Sequence, residues 1–436
     1  MERILPFKAL RYNKNVVGNL SAVLAPPYDV ISEQEQTKLY NSHPFNAVRL
    51  ECGMINEGDS ETDNRYTRSA ETLKEWMHSG VLVPDRQPAF YVCSQEFTSA
   101  DGRQHCCTGI MCLVRIDDYE KGMVLPHEET LTKAKNDRLN LMLACGANIS
   151  PVYSLYADKD RTINGLLLNA VLTQPESIAK TDDKITHKLW TITDQLLISK
   201  ISEALENKRL FIADGHHRYE TALNYRNAMR EKNSDHTGSE LYNYVMMYLV
   251  EMDDPGLMIF PTHRLVKNTV GFTEQGIVSQ LEENFEVEKV YAMDLEESVA
   301  EKLGWNKDVP CFAMYTGKEY YYLLKLKSFS VADEVNSEKS KALRRLDVTV
   351  LHSLILGRVL GMTDADVRNQ TYLDYTREIY EAIEGVKSGN YQCSFILNPT
   401  KIHQVHDICL EKEKMPQKST FFYPKLKTGL VMNKIN

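Results

Sequence analysis

The stretch Gly109 to Ile116 (GIMCLVRI) limits the fold more than any other part of the chain. It is apolar almost throughout and reads as a strand buried on both faces, so further layers must cover it. Leu210-Phe211-Ile212-Ala213 is a second short apolar run without helical period and reads the same way. Between such runs, helical spacing recurs. A helix is expected at 63–79, with Asp63 as cap and Gly80 as terminator, and another at 137–145. A third is expected at 194–207, capped by Thr193, with Leu197, Ile201 and Leu205 on one face. Helical spacing resumes at Tyr219 and runs to Arg230, and 346–360 is expected to be helical with Leu351, Leu354, Ile355 and Val359 on its apolar side. Strands are expected at 81–83, 89–93, 242–251 and 320–326. This alternation predicts an α/β or α+β architecture, with mixed sheets and flanking helices.

A chain of 436 residues is long enough for two or three cores. Polar stretches at 53–64, 232–240 and 328–340 read as connectors. The expected organisation is an N-terminal α/β region over 1–120, a central region over 121–265, and a C-terminal α+β region over 266–436. Charge narrows the partners: 51 Lys and Arg against 60 Asp and Glu give −9, which opposes general attraction to nucleic acid or anionic membrane but allows a local phosphate pocket. No apolar run approaches the roughly 18 residues of a membrane span, and the first residues carry no apolar stretch of signal-peptide type. The nine cysteines contain no C-x-x-C pair and are expected as free thiols. A cytoplasmic protein acting on small-molecule substrates is expected, and a homo-oligomer is compatible with this composition.

The richest chemistry follows the 210–213 strand, at Asp214-Gly215-His216-His217-Arg218. Glycine permits a tight turn, and a helix start there offers unpaired N–H groups and a positive dipole end that attract anions. Arg218 can grip phosphate in bidentate fashion, and His216 and His217 add imidazoles beside it. Asp214 can accept a proton from a hydroxyl or hold a metal ion. Equally, Asp-Gly is a common turn pair, and the cations of a turn can simply be solvated.

Other segments carry weaker signals. Ala25-Pro26-Pro27-Tyr28-Asp29-Val30 is stiff and suits a pocket wall presenting Tyr28 and Asp29. Arg49, alternating with apolar residues, reads as strand-borne and facing either a pocket or solvent. Pro126-His127-Glu128-Glu129-Thr130, followed by Lys133, Lys135, Asp137 and Arg138, can form an acid/base and phosphate-binding face or a charged helix surface. Here Glu128 is the first carboxylate to test as a base. His263 and Arg264 follow an apolar segment, and Lys418, Ser419 and Thr420 combine ammonium and hydroxyl donors of the kind phosphate sites use. Walker and G-x-G-x-x-G loops are absent.

Taken together, Ile4 to Tyr12, APPYDV at 25–30, PHEET at 126–130, ADGHHRYETA at 213–222, FPTHR at 260–264 and KSTFFYPKL at 418–426 resemble the family called domain of unknown function 1015. The DGHHR turn also resembles that of free serine kinases of the sulfiredoxin/ParB-like superfamily. That resemblance implies a sulfiredoxin/ParB-like phosphate-binding core. It further implies a kinase making O-phosphoserine from L-serine, with ATP, ADP or pyrophosphate as donor and Mg²⁺ as cofactor. Asp214, His216, His217 and Arg218 would then sit at the transferred phosphoryl group. A phosphoester hydrolase and a nucleotide- or metabolite-sensing module of ParB-like type are the alternatives.

Overall fold

The computed structural model describes residues 2–99, 101–130 and 132–435. They form two compact units: 1–126, 130–258 and 424–436 make the first, and 127–129 with 259–423 make the second. The boundary expected at 120 therefore falls inside one unit. There the strand Gln104–Arg115 pairs with Tyr244–Glu251 across it, because sheet pairing ignores distance along the chain.

The first unit is built on a mixed sheet. Its strands run in the order Val124–Leu125, Leu210–Asp214, Val152–Tyr156, Tyr244–Glu251, Gln104–Arg115, Phe90–Thr98, Thr186–Ile192 and Ser177–Lys180, with Ile4–Leu5 alongside Gln104–Arg115. Two pairings are parallel, Leu210–Asp214 with Val124–Leu125 and Tyr244–Glu251 with Val152–Tyr156. The central strands are buried on both faces, as their continuous apolar sequence demands. Val245, Met247 and Leu249 point to one face, where they share a core with Ile198, Ile201 and Leu205 of the helix Gln195–Glu206 and with Tyr219, Ala222 and Tyr225 of the helix His216–Lys232. The alternate residues Met246, Tyr248 and Val250 are buried on the other face.

The second unit carries a six-stranded antiparallel sheet in the order Phe285–Tyr291, Tyr320–Leu326, Cys311–Tyr315, Cys393–Leu397, His263–Val266, Leu373–Thr376. Val299 and Leu303 of the helix Leu295–Trp305, and Ala382, Ile383 and Val386 of Ile379–Lys387, pack on it.

Helix ends depart from the sequence expectation by small, explicable amounts. Asn64, not Asp63, caps Arg65–His78, in a reciprocal pair with Thr67. Asp194, not Thr193, caps Gln195–Glu206, whose buried face is Ile198, Ile201 and Leu205. The helix after Asp214 begins at His216, three residues ahead of the apolar spacing. The connector expected at 328–340 contains the helix Phe329–Val335, capped by Ser328. The 346–360 helix is α only over Asp347–Val350 and widens to a π-helix over Leu351–Val359, where the Leu360 N–H reaches the Ile355 carbonyl. The wider winding takes Val359 off the core side and puts Leu356 there.

All nine cysteines are free, and only Cys106 is exposed. No described helix is long and apolar enough to cross a membrane.

One close approach sets a limit on the central sheet. A Cβ on Gly109 would lie 2.5 Å from the Tyr248 ring and 2.6 Å from the Leu249 carbonyl oxygen. Tyr248 is fixed by its hydroxyl, which donates to the Cys93 carbonyl at 3.1 Å. Gly109→Ala is expected to cost about 3 kcal/mol, the upper part of the overpacking range, measured by urea unfolding.

Candidate functional site

The turn after the Leu210–Asp214 strand is left-handed at Gly215, with φ 86° and ψ 32°, and His216 opens a 17-residue helix. Glycine is required for a second reason: a Cβ there would come within 2.6 Å of the Arg218 Nε. The guanidinium lies across the turn, and its Nη2 donates to Asp214 at 2.5 Å while Nη1 donates to the Pro151 carbonyl. Its Nε is buried and has no hydrogen-bond partner among the described residues. On its other oxygen Asp214 accepts from Lys425 Nζ. The carboxylate thus sits between two cations, with 12% of the Asp214 and Arg218 side chains and 15% of Lys425 exposed. No acidic residue stands in the first turn of the helix itself, and the nearby Asp214 carboxylate is shared by the two cations. His216 is buried and His217 half-buried.

A second cluster in the same unit surrounds Arg138. This buried guanidinium donates to Glu51 at 3.1 Å and to Asp137 at 2.5 Å, and Tyr28 lies 4.0 Å beneath it. Burial pushes the Tyr28 phenol well up, although Arg138 and Arg218 both pull it down. Ser150 also donates to Glu51, at 3.0 Å, and Arg65 and Tyr66 both donate to Asp137. Burial acts to raise the Asp137 carboxyl, but Arg138, Tyr66 and Arg65 outweigh it and hold it below the usual range. Between the clusters lies a cavity of about 30 Å³, lined by Glu51, Arg138, Asn148, Ser150, Arg218 and Thr221. It has room for a water or two, not for a nucleotide.

The structure thus assembles Tyr28, Arg138, Asp214, Gly215 and Arg218 in one unit, and adds Glu51, Asp137 and Lys425. Sequence reasoning passed over Glu51 and Lys425, and took Asp137 only as one of the charges that follow the 126–130 segment. Lys425 stands in the 418–426 motif, but its pairing with a residue 211 positions away leaves no local trace. Glu51 stands in a short helix, Val48–Glu51, where a strand was expected. Arg49 in that helix turns instead to Tyr40, stacking at 4.4 Å and donating to its carbonyl at 2.6 Å. Asp29 and Lys133 are exposed, and it is Lys135 that pairs with Glu220, at 3.0 Å.

The remaining candidates belong to the second unit. His127 shares a 2.9 Å hydrogen bond with Thr420, and Glu128 forms a parallel bridge with Met415. Ser419 spends its hydroxyl on the Pro416 carbonyl at 2.5 Å, and its own carbonyl accepts from Thr400. Lys418 is exposed, with φ 57°. Arg264 is fully buried and donates to the carbonyls of Thr262 and Lys418, while burial brings its pKa down to about 10. Beside it, burial brings His263 down to about 3, so this imidazole is neutral.

Magnesium is poorly provided for by protein groups. Asp214, the expected ligand, already accepts from two cations, and the described residues contain no cluster of three or more His, Cys, Asp or Glu suited to a metal.

Residues 4–349 match the family described as a protein of unknown function, DUF1015. The chain belongs to that family. The match ends before the 418–426 motif, so Lys425 and Lys418 to Thr420 lie beyond it. No curated protein matches the chain. Among solved structures, a conserved hypothetical protein from Pyrococcus furiosus aligns over 73% of this chain and 93% of its own, at 13% identity and TM-score 0.34. A free serine kinase in complex with AMP aligns over 72% and 86%, at 14% identity and TM-score 0.34. A truncated SbnI from Staphylococcus aureus aligns over 74% and 86%, at 11% identity and TM-score 0.35.

The charge arrangement makes acid lability testable. Because the Asp137 carboxyl is depressed, its contribution to stability is complete above the unfolded value of about 3.9 and is lost as pH falls through the lower folded value. Unfolding free energy measured below about pH 4 should fall steeply for the natural chain and less steeply for Asp137→Asn. Glu51→Ala, which leaves part of the buried Arg138 charge uncompensated, should cost about 3 kcal/mol at neutral pH, measured by urea unfolding.

Proposed function

We propose that this protein is a phosphotransferase that acts on a small hydroxylated metabolite, L-serine first, with ATP, ADP or pyrophosphate as donor. The observation that carries the reading is the pair of cations, Arg218 and Lys425, gathered on Asp214 at a helix start. Phosphoryl transfer has a loose transition state whose charge lies on the equatorial oxygens, so catalysis is mostly positioning and charge neutralisation. A guanidinium, an ammonium and a helix start supply that neutralisation. The likeness of the DGHHR turn to that of free serine kinases supports the choice of acceptor.

Asp214 also has a part in this reading. Its two oxygens are taken up by Arg218 and Lys425. In this reading Asp214 is a positioning residue that aims Arg218 and Lys425, and His217 stands beside them at the first helical turn. Any Mg²⁺ would arrive on the phosphates of the donor, where it neutralises charge, since such ions commonly keep few protein ligands.

The test is direct. The purified full chain is incubated with Mg²⁺, L-serine and each donor in turn, and O-phosphoserine is sought by mass spectrometry. Arg218→Ala, Lys425→Met and His217→Ala should each lower turnover by about 10²-fold or more. No phosphorylated product with any donor, from serine or from a pool of small alcohols, overturns the proposal. Loss of folding in step with loss of turnover would make the turn structural.

A further inference from the structure

The second unit holds a cavity that the phosphotransferase reading does not use. It measures about 210 Å³, against the roughly 10–15 Å³ that one water needs on the same measure, so a small organic molecule fits. Its lining includes Asp347, Asn398, Thr400, Lys401, Lys307 and Gln404.

Asp347 is the unusual member. Its carboxylate has no ion-pair partner within 4 Å among the described residues. The charge that bears most on it is that of Lys401, whose ammonium is engaged 3.0 Å from the Lys307 carbonyl. Burial accordingly pushes the Asp347 carboxyl up to about 6, and only Lys401 and its own backbone N–H work against this. A half-buried carboxylate on a cavity wall, met by its own backbone N–H but by no ion-pair partner among the described residues, is a site that a cationic ligand would complete.

The neighbouring groups are committed in a telling way. Asn398 spends its amide N–H groups on the carbonyls of Leu303 at 3.0 Å and Asn306 at 3.4 Å, which leaves its oxygen as an acceptor. Thr400 spends its hydroxyl proton on the Ser419 carbonyl at 2.8 Å, which leaves its lone pairs. Asp347, Asn398 and Thr400 thus offer acceptors, and an ammonium group has three N–H donors to satisfy. Gln404 does the reverse: its oxygen accepts from the Lys401 N–H at 2.8 Å, which leaves its amide nitrogen as a donor. With the exposed ammonium groups of Lys307 and Lys401 it makes a side suited to a carboxylate.

We propose that this cavity binds a small free α-amino acid as its zwitterion, with the ammonium on Asp347, Asn398 and Thr400 and the carboxylate toward Gln404 and the two lysines. The site is independent of the Asp214 cluster, which lies in the other unit. A simple amine would leave the donors unanswered, and a simple anion would face an unpaired carboxylate.

Hydrogen–deuterium exchange on the intact natural chain provides the test. The probes are millimolar glycine, L-serine, L-threonine, L-aspartate and L-lysine, with ethanolamine and acetate as the amine-only and acid-only arms. At least one amino acid should slow exchange in both 346–350 and 398–404, and bind about tenfold or more tightly than either arm. Asp347→Asn should weaken that binding by about tenfold or more, the loss expected for a charged hydrogen bond, whereas Asp214→Asn should retain it. The proposal is overturned if no amino acid protects these segments, if ethanolamine or acetate does so as well, or if Asp347→Asn binds unchanged. Should Asp347→Asn fail to fold, the exchange map of the natural chain decides alone. Binding lost in Asp214→Asn but kept in Asp347→Asn would place the amino acid at the Asp214 cluster and likewise refute this site.

Discussion

The carboxylate of Asp214 is the joint on which the first unit's chemistry depends. It terminates a buried strand, faces a cation one helical turn ahead of it, and receives a second cation from the last residues of the chain. Lys425 is fixed at both ends, because its carbonyl accepts from Gln95 at 3.0 Å while its ammonium reaches Asp214. Without the carboxylate, two largely buried cations would repel each other across a helix start that is itself positive. With it they are held close together at nearly no cost in side-chain freedom at the moment an anion arrives, which is the meaning of preorganisation.

The two units handle buried cations differently. Arg138 has a full set of partners: two carboxylates, a backbone carbonyl and an aromatic face. That is a structural solution, in which charge is cancelled where it is buried. Arg264 is met by carbonyl dipoles and by a neutral imidazole, His352, at 3.2 Å, with its Nε left unpartnered and no carboxylate ion pair among the described residues. Burial drives His263 and His352 to the neutral form next to it, since a second charge there would be unsupported. Asp347 is the mirror case in the same unit, a carboxylate whose nearest cation is engaged elsewhere.

Much of the secondary structure could be read from residue patterns. The strands at 210–214 and 320–326 and the helices near 65–78 and 195–206 follow from apolar runs and spacing, with caps displaced by one residue. The displacements arise because Asp, Asn, Ser and Thr can all cap, and adjacent candidates compete on geometry alone. The π-helical stretch could not be read, since its apolar residues fit an α-helix of ordinary winding. Nor could the helical placement of Arg49 and Glu51, because four residues are too few to show a period.

For the candidate site, sequence alone determined the turn: a glycine between a buried strand and a helix, with acidic and basic residues on either side. Those are local properties, set by backbone sterics and by spacing within five residues. The tertiary structure decided which of the scattered charges meet. It joined Lys425 to Asp214 and Glu51 to Arg138, turned Arg49 toward Tyr40, and buried His263 beyond protonation. Such pairings depend on sheet order and on chain return across hundreds of residues, and charge carries no record in sequence of the partner it will find once water has been excluded.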